Sequence, residues 1–281
     1  MSPLITATEL STQLDDPKLL LVDCRFDLAK PDWGSSEYAQ GHIDGAIYAH
    51  LNDELSSPVS SETGRHPLPS AAAFAATLQR WGLDENTRVV AYDQGNGAFA
   101  ARLWWLLRAI GVTAVQVLDG GLAAWKAAGL PLTTAVRERS ISALPAREFR
   151  DWLSTEQLEQ ALATRAITLV DARSPERFLG QQEPIDPVAG HVPGALNHPL
   201  TDNLQADGRF LPAEALRERW LRTLAGQAPQ TLVSMCGSGI TACHNLLALE
   251  VAGLPGGRLY AGSWSEWIRD PKRPIATGNS D

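Results

Sequence analysis

The sequence predicts an α/β protein of two tandem domains, each a mostly parallel sheet flanked by helices. Three observations carry this. The chain has 281 residues, room for two modest domains at about 100–200 residues each. One unit is written twice along it. Short apolar runs alternate with longer helix-like segments, the pattern of strands joined by crossover helices and covered on both faces.

The repeat rests on four landmarks in one order. The first half carries LLLVDCR, GHIDGA, RVVAYDQGNGAFAARLWWLL and LDGGLAAW; the second carries ITLVDAR, GHVPGA, TLVSMCGSGITACHNLLAL and YAGSWSEW. Their spacing also agrees. Asp23 to His42 is 19 residues and Asp171 to His191 is 20; Asp93 to Gly120 is 27 and Cys236 to Gly262 is 26. In the first copy Leu19–Asp23, Val89–Tyr92 and Val115–Leu118 read as buried strands, and in the second Ile167–Asp171, Thr231–Met235 and Arg258–Tyr260. Helical patterns cover Ala71–Trp81, Phe99–Ile110, Thr155–Ala163, Ala213–Leu224 and Thr241–Val251. The charged stretch from Thr133 to Phe149 loses the repeat. The expected division is therefore a domain over 1–134, a linker over 135–149 and a second domain over 150–281.

Composition excludes several classes of function. Hydrophobic residues make up 44%, enough for a packed core. A net charge of −8 without any basic run disfavours a nucleic-acid partner. The opening MSPLITATELSTQL has neither a basic region nor a long apolar stretch, so no signal peptide is expected. No window approaches about 18 apolar residues, so no membrane span is expected either. The three cysteines, Cys24, Cys236 and Cys243, are too few and odd in number for a disulfide scaffold, which argues for a reducing cytoplasm. No Cys/His cluster has metal-ligand spacing, and YDQGNG lacks the glycine spacing and lysine of a nucleotide loop. No metal and no cofactor are expected, and the chain is expected to be a monomer.

The chemistry gathers at MCGSGITA. A strand runs straight into Cys236, then Gly237, Ser238, Gly239, Ile240 and Thr241, and then a helical pattern begins. The glycines let backbone N–H groups turn inward to one point. The helix start adds unpaired N–H groups and the positive end of its dipole. Cysteines in such places fall from a pKa of about 8.5 to between about 3.5 and 7.5. A free cysteine is often only a small core residue, but the flanking glycines and the strand-end position argue otherwise. A cysteine phosphatase would use a similar cradle, yet it needs an arginine to hold phosphoryl oxygens, and that position is Ala242. In the first copy Asp93 stands where Cys236 stands in the second.

The loop CGSGITA resembles the active-site loop of the 3-mercaptopyruvate sulfurtransferases, within the rhodanese superfamily. The resemblance extends over nearly the whole chain through VDAR…RFLG, GHVPGALNHPL, GSWSEW, HIDGA, RLWWLLRA and LDGGLAAW. It implies two tandem rhodanese-like domains, catalysis only in the second, and an active site in the cleft between them. It also implies a Cys236 persulfide, loaded by 3-mercaptopyruvate and discharged to cyanide, a thiol or thioredoxin. Arg177 matches a substrate-binding arginine of the family. A second arginine, expected in a Pro-Arg pair, is absent because Pro184 is followed by Ile185. Arg102 is a candidate replacement from the first copy, against the plainer reading of a structural ion pair. His66 matches a family histidine that reaches the active site; its family aspartate partner is Asn52 here, giving a Cys–His–Asn set. Ser238 either donates to the cysteine sulfur or relays a proton, or is a small turn residue, and Thr241 is expected to cap the helix or bond the loop backbone. Cys24 and Cys243 read as core. The Asp23/Arg25 and Asp171/Arg173 pairs, like His42 and His191, recur in both copies and so read as structural.

Two alternatives remain open on the sequence. One is thiosulfate:cyanide sulfurtransfer, disfavoured by the neutral Gly-Ser after Cys236. The other is a non-enzymatic persulfide carrier or sensor.

Overall fold

Each half of the chain builds a five-stranded parallel sheet with the same strand permutation. The computed structural model describes residues 2–278. In the first half the elements are Leu4–Ile5 (β1), Ala7–Ser11 (α1), Leu19–Asp23 (β2), Trp33–Gln40 (α2), Ala46–Tyr48 (β3), Ala71–Arg80 (α3), Arg88–Tyr92 (β4), Ala98–Ala109 (α4), Val115–Leu118 (β5) and Gly121–Ala127 (α5). In the second they are Trp152–Leu153 (β6), Thr155–Ala163 (α6), Thr168–Asp171 (β7), Pro175–Phe178 (α7), Leu196–Asn197 (β8), Ala213–Leu224 (α8), Leu232–Met235 (β9), Thr241–Val251 (α9), Arg258–Tyr260 (β10) and Ser263–Trp267 (α10). The sheet orders are β1-β5-β4-β2-β3 and β6-β10-β9-β7-β8, with every neighbouring pair parallel.

Burial explains why the central strands were legible. All five residues of β2 and all four of β9 are buried, as expected for strands covered on both faces. The central helices are buried nearly all round, α4 in ten of its twelve residues and α9 in eight of eleven. One core gathers Leu10, Leu21, Val90, Tyr92, Leu118 and Trp125; the other gathers Leu158, Leu169, Val233, Met235, Tyr260, Trp264 and Trp267. Trp125 and Trp267 hold equivalent places, each donating its indole N–H to a carbonyl beyond its helix, Pro131 O at 2.9 Å and Pro274 O at 3.0 Å.

The repeated ion pairs are buried braces. Arg25 forks onto Asp23 and reaches Gly41 O at 2.8 Å; Arg173 forks onto Asp171 and reaches Gly190 O at 2.7 Å. His42 stacks on Tyr38 and pairs with its carbonyl, and His191 does the same with Phe178. Each pair ties the GHxxGA turn to the helix before it, in both halves.

The compact units do not follow the halves of the chain. One comprises Met1–Ser57, Leu68–Arg150 and Ala206–Phe210; the other comprises Pro58–Pro67, Asp151–Gln205 and Leu211–Asp281. Ten residues written in the first half, 58–67, thus belong to the second unit. The charged stretch after Thr133 is tied to the first unit instead of hanging free. His42 bridges Thr133 and Ala135, Arg139 Nη1 donates to Leu19 O at 3.1 Å, and Ser142 Oγ donates to Leu83 O at 2.6 Å.

Candidate active site

Strand β9 delivers Cys236 to its carboxyl end, and helix α9 starts five residues later. The loop between them is shaped by α10. The amides of Trp264 and Ser265 donate to the carbonyls of Cys236 and Gly237, both at 2.9 Å. Those two peptide planes are therefore turned with their N–H groups away from α10, because N–H and C=O point oppositely across a trans peptide. Cys236 N–H is itself anchored on Ser263 Oγ at 3.1 Å. Ser263 lies at φ 54, an unusual conformation for a non-glycine residue. Its hydroxyl donates in turn to Tyr260 O at 2.9 Å.

Gly239 N–H donates to Cys236 Sγ at 3.1 Å. Only glycine can hold this position. Its φ is +82°, and a Cβ there would lie 2.4 Å from the backbone oxygen of Ala261. Cys236 is 2% exposed, so the residue is almost wholly buried. The Cys243 thiol donates to Gly239 O at 3.2 Å from inside the layer, as a core residue, and Cys24 is buried likewise.

The first unit holds the same loop with an anion built in. Asp93 follows β4, and the amides of Leu122 and Ala123 at the start of α5 take the carbonyls of Asp93 and Gln94. Asp93 Oδ1 then accepts from Gly95 N and Gly97 N at 2.9 and 3.0 Å, and Oδ2 from Phe99 N and Ala100 N at 2.9 and 3.3 Å. Burial pushes this carboxyl above its ordinary value, and the four amides pull it back. The strand–loop–helix junction of this fold thus accommodates an anionic group on its first residue.

His66 Nδ1 pairs with Ser238 Oγ at 2.8 Å, and both residues are buried. His66 stands there because 58–67 packs on α10. Gly64 N–H donates to Glu266 Oε2 at 3.1 Å, Arg65 N–H to Ser265 Oγ at 3.0 Å, and Arg269 Nε to Thr63 O at 3.1 Å. A Cβ on Gly64 would fall 2.5 Å from Gly262 O, so only a glycine lets the segment come this close.

Two guanidinium groups flank the loop. Arg177 directs Nε and Nη2 onto Glu183 and Nη2 also onto Asp186 at 3.1 Å. Arg65 bonds the other oxygen of Asp186 through Nη1. Burial lowers the Arg65 pKa, and the neighbouring Cys236 acts against that shift. Glu183 Oε1 also accepts the amides of Ile185 and Asp186, both at 3.1 Å. The segment whose sequence lacks a second arginine therefore supplies carboxylates that hold arginines.

The other expected site residues lie as follows. Gly237 and Ile240 are buried in the loop. Ile240 occupies the N-cap position without a side-chain cap, so Thr241 is the first helical residue and not the cap. Arg102 is a fully buried residue of the first unit, with Nε and Nη2 on Leu55 O at 3.3 Å. Asn52 is an exposed residue of the first unit, between β3 and α3. Arg65, Glu183 and Asp186 were missed. The signal for Arg65 is its place between Gly64 and the candidate histidine, His66.

The rhodanese-like domain model matches this chain twice, at residues 6–128 and 154–270. A curated relative from Pseudomonas aeruginosa, named "Probable 3-mercaptopyruvate sulfurtransferase", is 52% identical over 98% of this chain and 98% of its own. A thiosulfate sulfurtransferase of Rattus norvegicus is 32% identical over 94% of this chain and 90% of its own. Among solved structures, that of a 3-mercaptopyruvate sulfurtransferase from Escherichia coli superposes with a TM-score of 0.81 at 30% identity, covering 95% of this chain and 100% of that one. Among the described residues no helix is long and apolar enough to cross a membrane.

Proposed function

This chain belongs to the rhodanese family, with one copy of the domain in each half, and we propose that it transfers sulfur from 3-mercaptopyruvate to a thiophilic acceptor through a persulfide on Cys236. The observation that carries the reading is the loop itself: Cys236 Sγ on the Gly239 amide, beside a buried Ser238–His66 pair. The Cys236 thiolate attacks the donor sulfur. The carbon–sulfur bond breaks, and its electron pair leaves with pyruvate as the enolate. Ser238, backed by His66, stands two residues from the nucleophile and supplies the proton path to that enolate. An acceptor thiolate or cyanide then takes the outer sulfur, and the sulfur–sulfur electron pair returns to Cys236. Asp93 fills the equivalent place in the first domain, which leaves catalysis to the second.

Intact mass spectrometry tests the covalent step. Incubation with 3-mercaptopyruvate and no acceptor is expected to add the mass of one sulfur atom, localised to the Cys236 peptide and removed by cyanide. An unchanged mass under turnover conditions refutes the persulfide. Thiosulfate is the second reading, favoured by the two guanidinium groups beside the loop and by the rat relative. Since the residues next to Cys236 are neutral, kcat/KM is expected to be at least about tenfold higher with 3-mercaptopyruvate; the reverse order reassigns the donor.

The docking of 58–67 has its own expected result. Gly64→Ala must lift the segment off Gly262 O, which displaces His66 from Ser238. A shift of about 1 Å near the chemistry costs about 100-fold in rate, so kcat/KM for sulfur transfer should fall by about that factor with an unchanged circular dichroism spectrum. Wild-type kcat/KM in this variant removes the segment from the mechanism.

A further inference from the structure

Asp186 is a carboxylate shared by two arginines. Its Oδ1 takes Arg65 Nη1 and its Oδ2 takes Arg177 Nη2. The acids lie underneath and the cations on top. The side chains of Asp186 and Glu183 are 3% and 4% exposed, whereas those of Arg177 and Arg65 are 16% and 27% exposed. Both cations face the residue after the nucleophile. A methyl group built on Gly237 would lie 2.9 Å from Arg65 Nη2, and 3.5 and 3.6 Å from Arg177 Nη2 and Nη1. A guanidinium has five N–H donors in a fixed fork. The buried acids engage Nη1 of Arg65, and Nε and Nη2 of Arg177. Arg65 Nη2 and Arg177 Nη1 are the atoms left facing the Gly237 side of the loop.

We infer that Arg65 and Arg177, held in register by Asp186, form a two-armed clamp for the carboxylate of the sulfur donor at the mouth of the Cys236 loop. The inference rests on reading Cys236 as the acceptor of sulfur from an anionic donor, and it adds a residue, Arg65, and its positioning acid, Asp186. With Cys236 buried and the more exposed forks beside Gly237, the donor carboxylate anchors on the two forks while its sulfur reaches the thiol. Pairing with buried acids fixes the forks in advance, so little rotamer freedom remains to be lost on binding.

The test separates the clamp from the enzyme reaction. Iodoacetate and iodoacetamide alkylate a thiolate with the same leaving group and differ in the carboxylate. Their rates at Cys236, read by peptide mass spectrometry, give a ratio that does not depend on 3-mercaptopyruvate being the substrate. Arg65→Ala is expected to lower the iodoacetate-to-iodoacetamide ratio by about tenfold or more, the factor typical of a lost charge-assisted hydrogen bond. It should also raise KM for 3-mercaptopyruvate by a similar factor. Arg65→Lys keeps the charge and loses the fork, and should recover only part of the ratio. An unchanged ratio in Arg65→Ala overturns the clamp. If that variant does not fold, an unchanged ratio in Arg65→Lys overturns it equally. A lowered ratio in a protein that never turns over 3-mercaptopyruvate would retain the anion clamp and refute the proposed donor.

Discussion

Replacing Cys236 by serine is expected to reduce sulfur transfer by at least about 1000-fold, since removal of a covalent nucleophile leaves only binding and electrostatic assistance. The chemistry is specific to sulfur. A serine hydroxyl is far harder to ionise than a thiol and does not form a chain of two sulfurs that a soft acceptor can split. The fold should tolerate the change. Serine is nearly isosteric, its oxygen can accept the Gly239 N–H that Sγ now accepts, and the anchors of the loop are backbone bonds from Trp264 and Ser265. Steady-state turnover with either donor, together with a thermal melt, checks this. Turnover within tenfold of wild type in a serine variant free of wild-type contamination would remove Cys236 from the mechanism.

Asp93→Ala is expected to cost more stability than any conservative change in either core. The Asp93 carboxylate satisfies four amides, those of Gly97 and Ala100 buried and those of Gly95 and Phe99 half-buried. Leaving even two of them unpaired costs about 2–6 kcal/mol, at about 1–3 kcal/mol for each buried donor without a partner. Asp93→Asn should also be destabilised, because its amide nitrogen turns a donor onto other donors. Burial makes the charged carboxylate costly in itself, so the amides are what make it tolerable there. Urea denaturation, following the tryptophans, reads the loss. A midpoint equal to wild type in Asp93→Ala would mean that the loop rearranges without its anion.

The central strands and long helices were legible because burial on two faces writes continuous apolar runs, as in Leu19–Asp23 and Leu232–Met235. Four edge strands of two or three residues, β1, β3, β6 and β8, escaped because so short a run has no period to read. The helices α1, α2, α5, α7 and α10, of four to eight residues, escaped for the same reason. At the site, the Cys236 loop could be read directly, because glycines between a strand and a helix have few other uses. Arg65 could not, since nothing local distinguishes one loop arginine from another. Ile185 marks the place of a missing cation, and no local pattern singles out the acids beside it, Glu183 and Asp186.

The sequence by itself determined the duplication, the parallel α/β class and the place of the Cys236 loop proposed to carry the chemistry, because each is a local pattern of apolar period, glycine and cysteine. Only the tertiary structure decided which side chains meet that loop. Residues 58–67 leave their own half of the chain and pack on α10, bringing Arg65 and His66 about 170 residues along the chain to the Cys236 loop. Such a meeting depends on how closely two backbones can approach, here through the absent side chain of Gly64, and a one-dimensional pattern does not encode that distance.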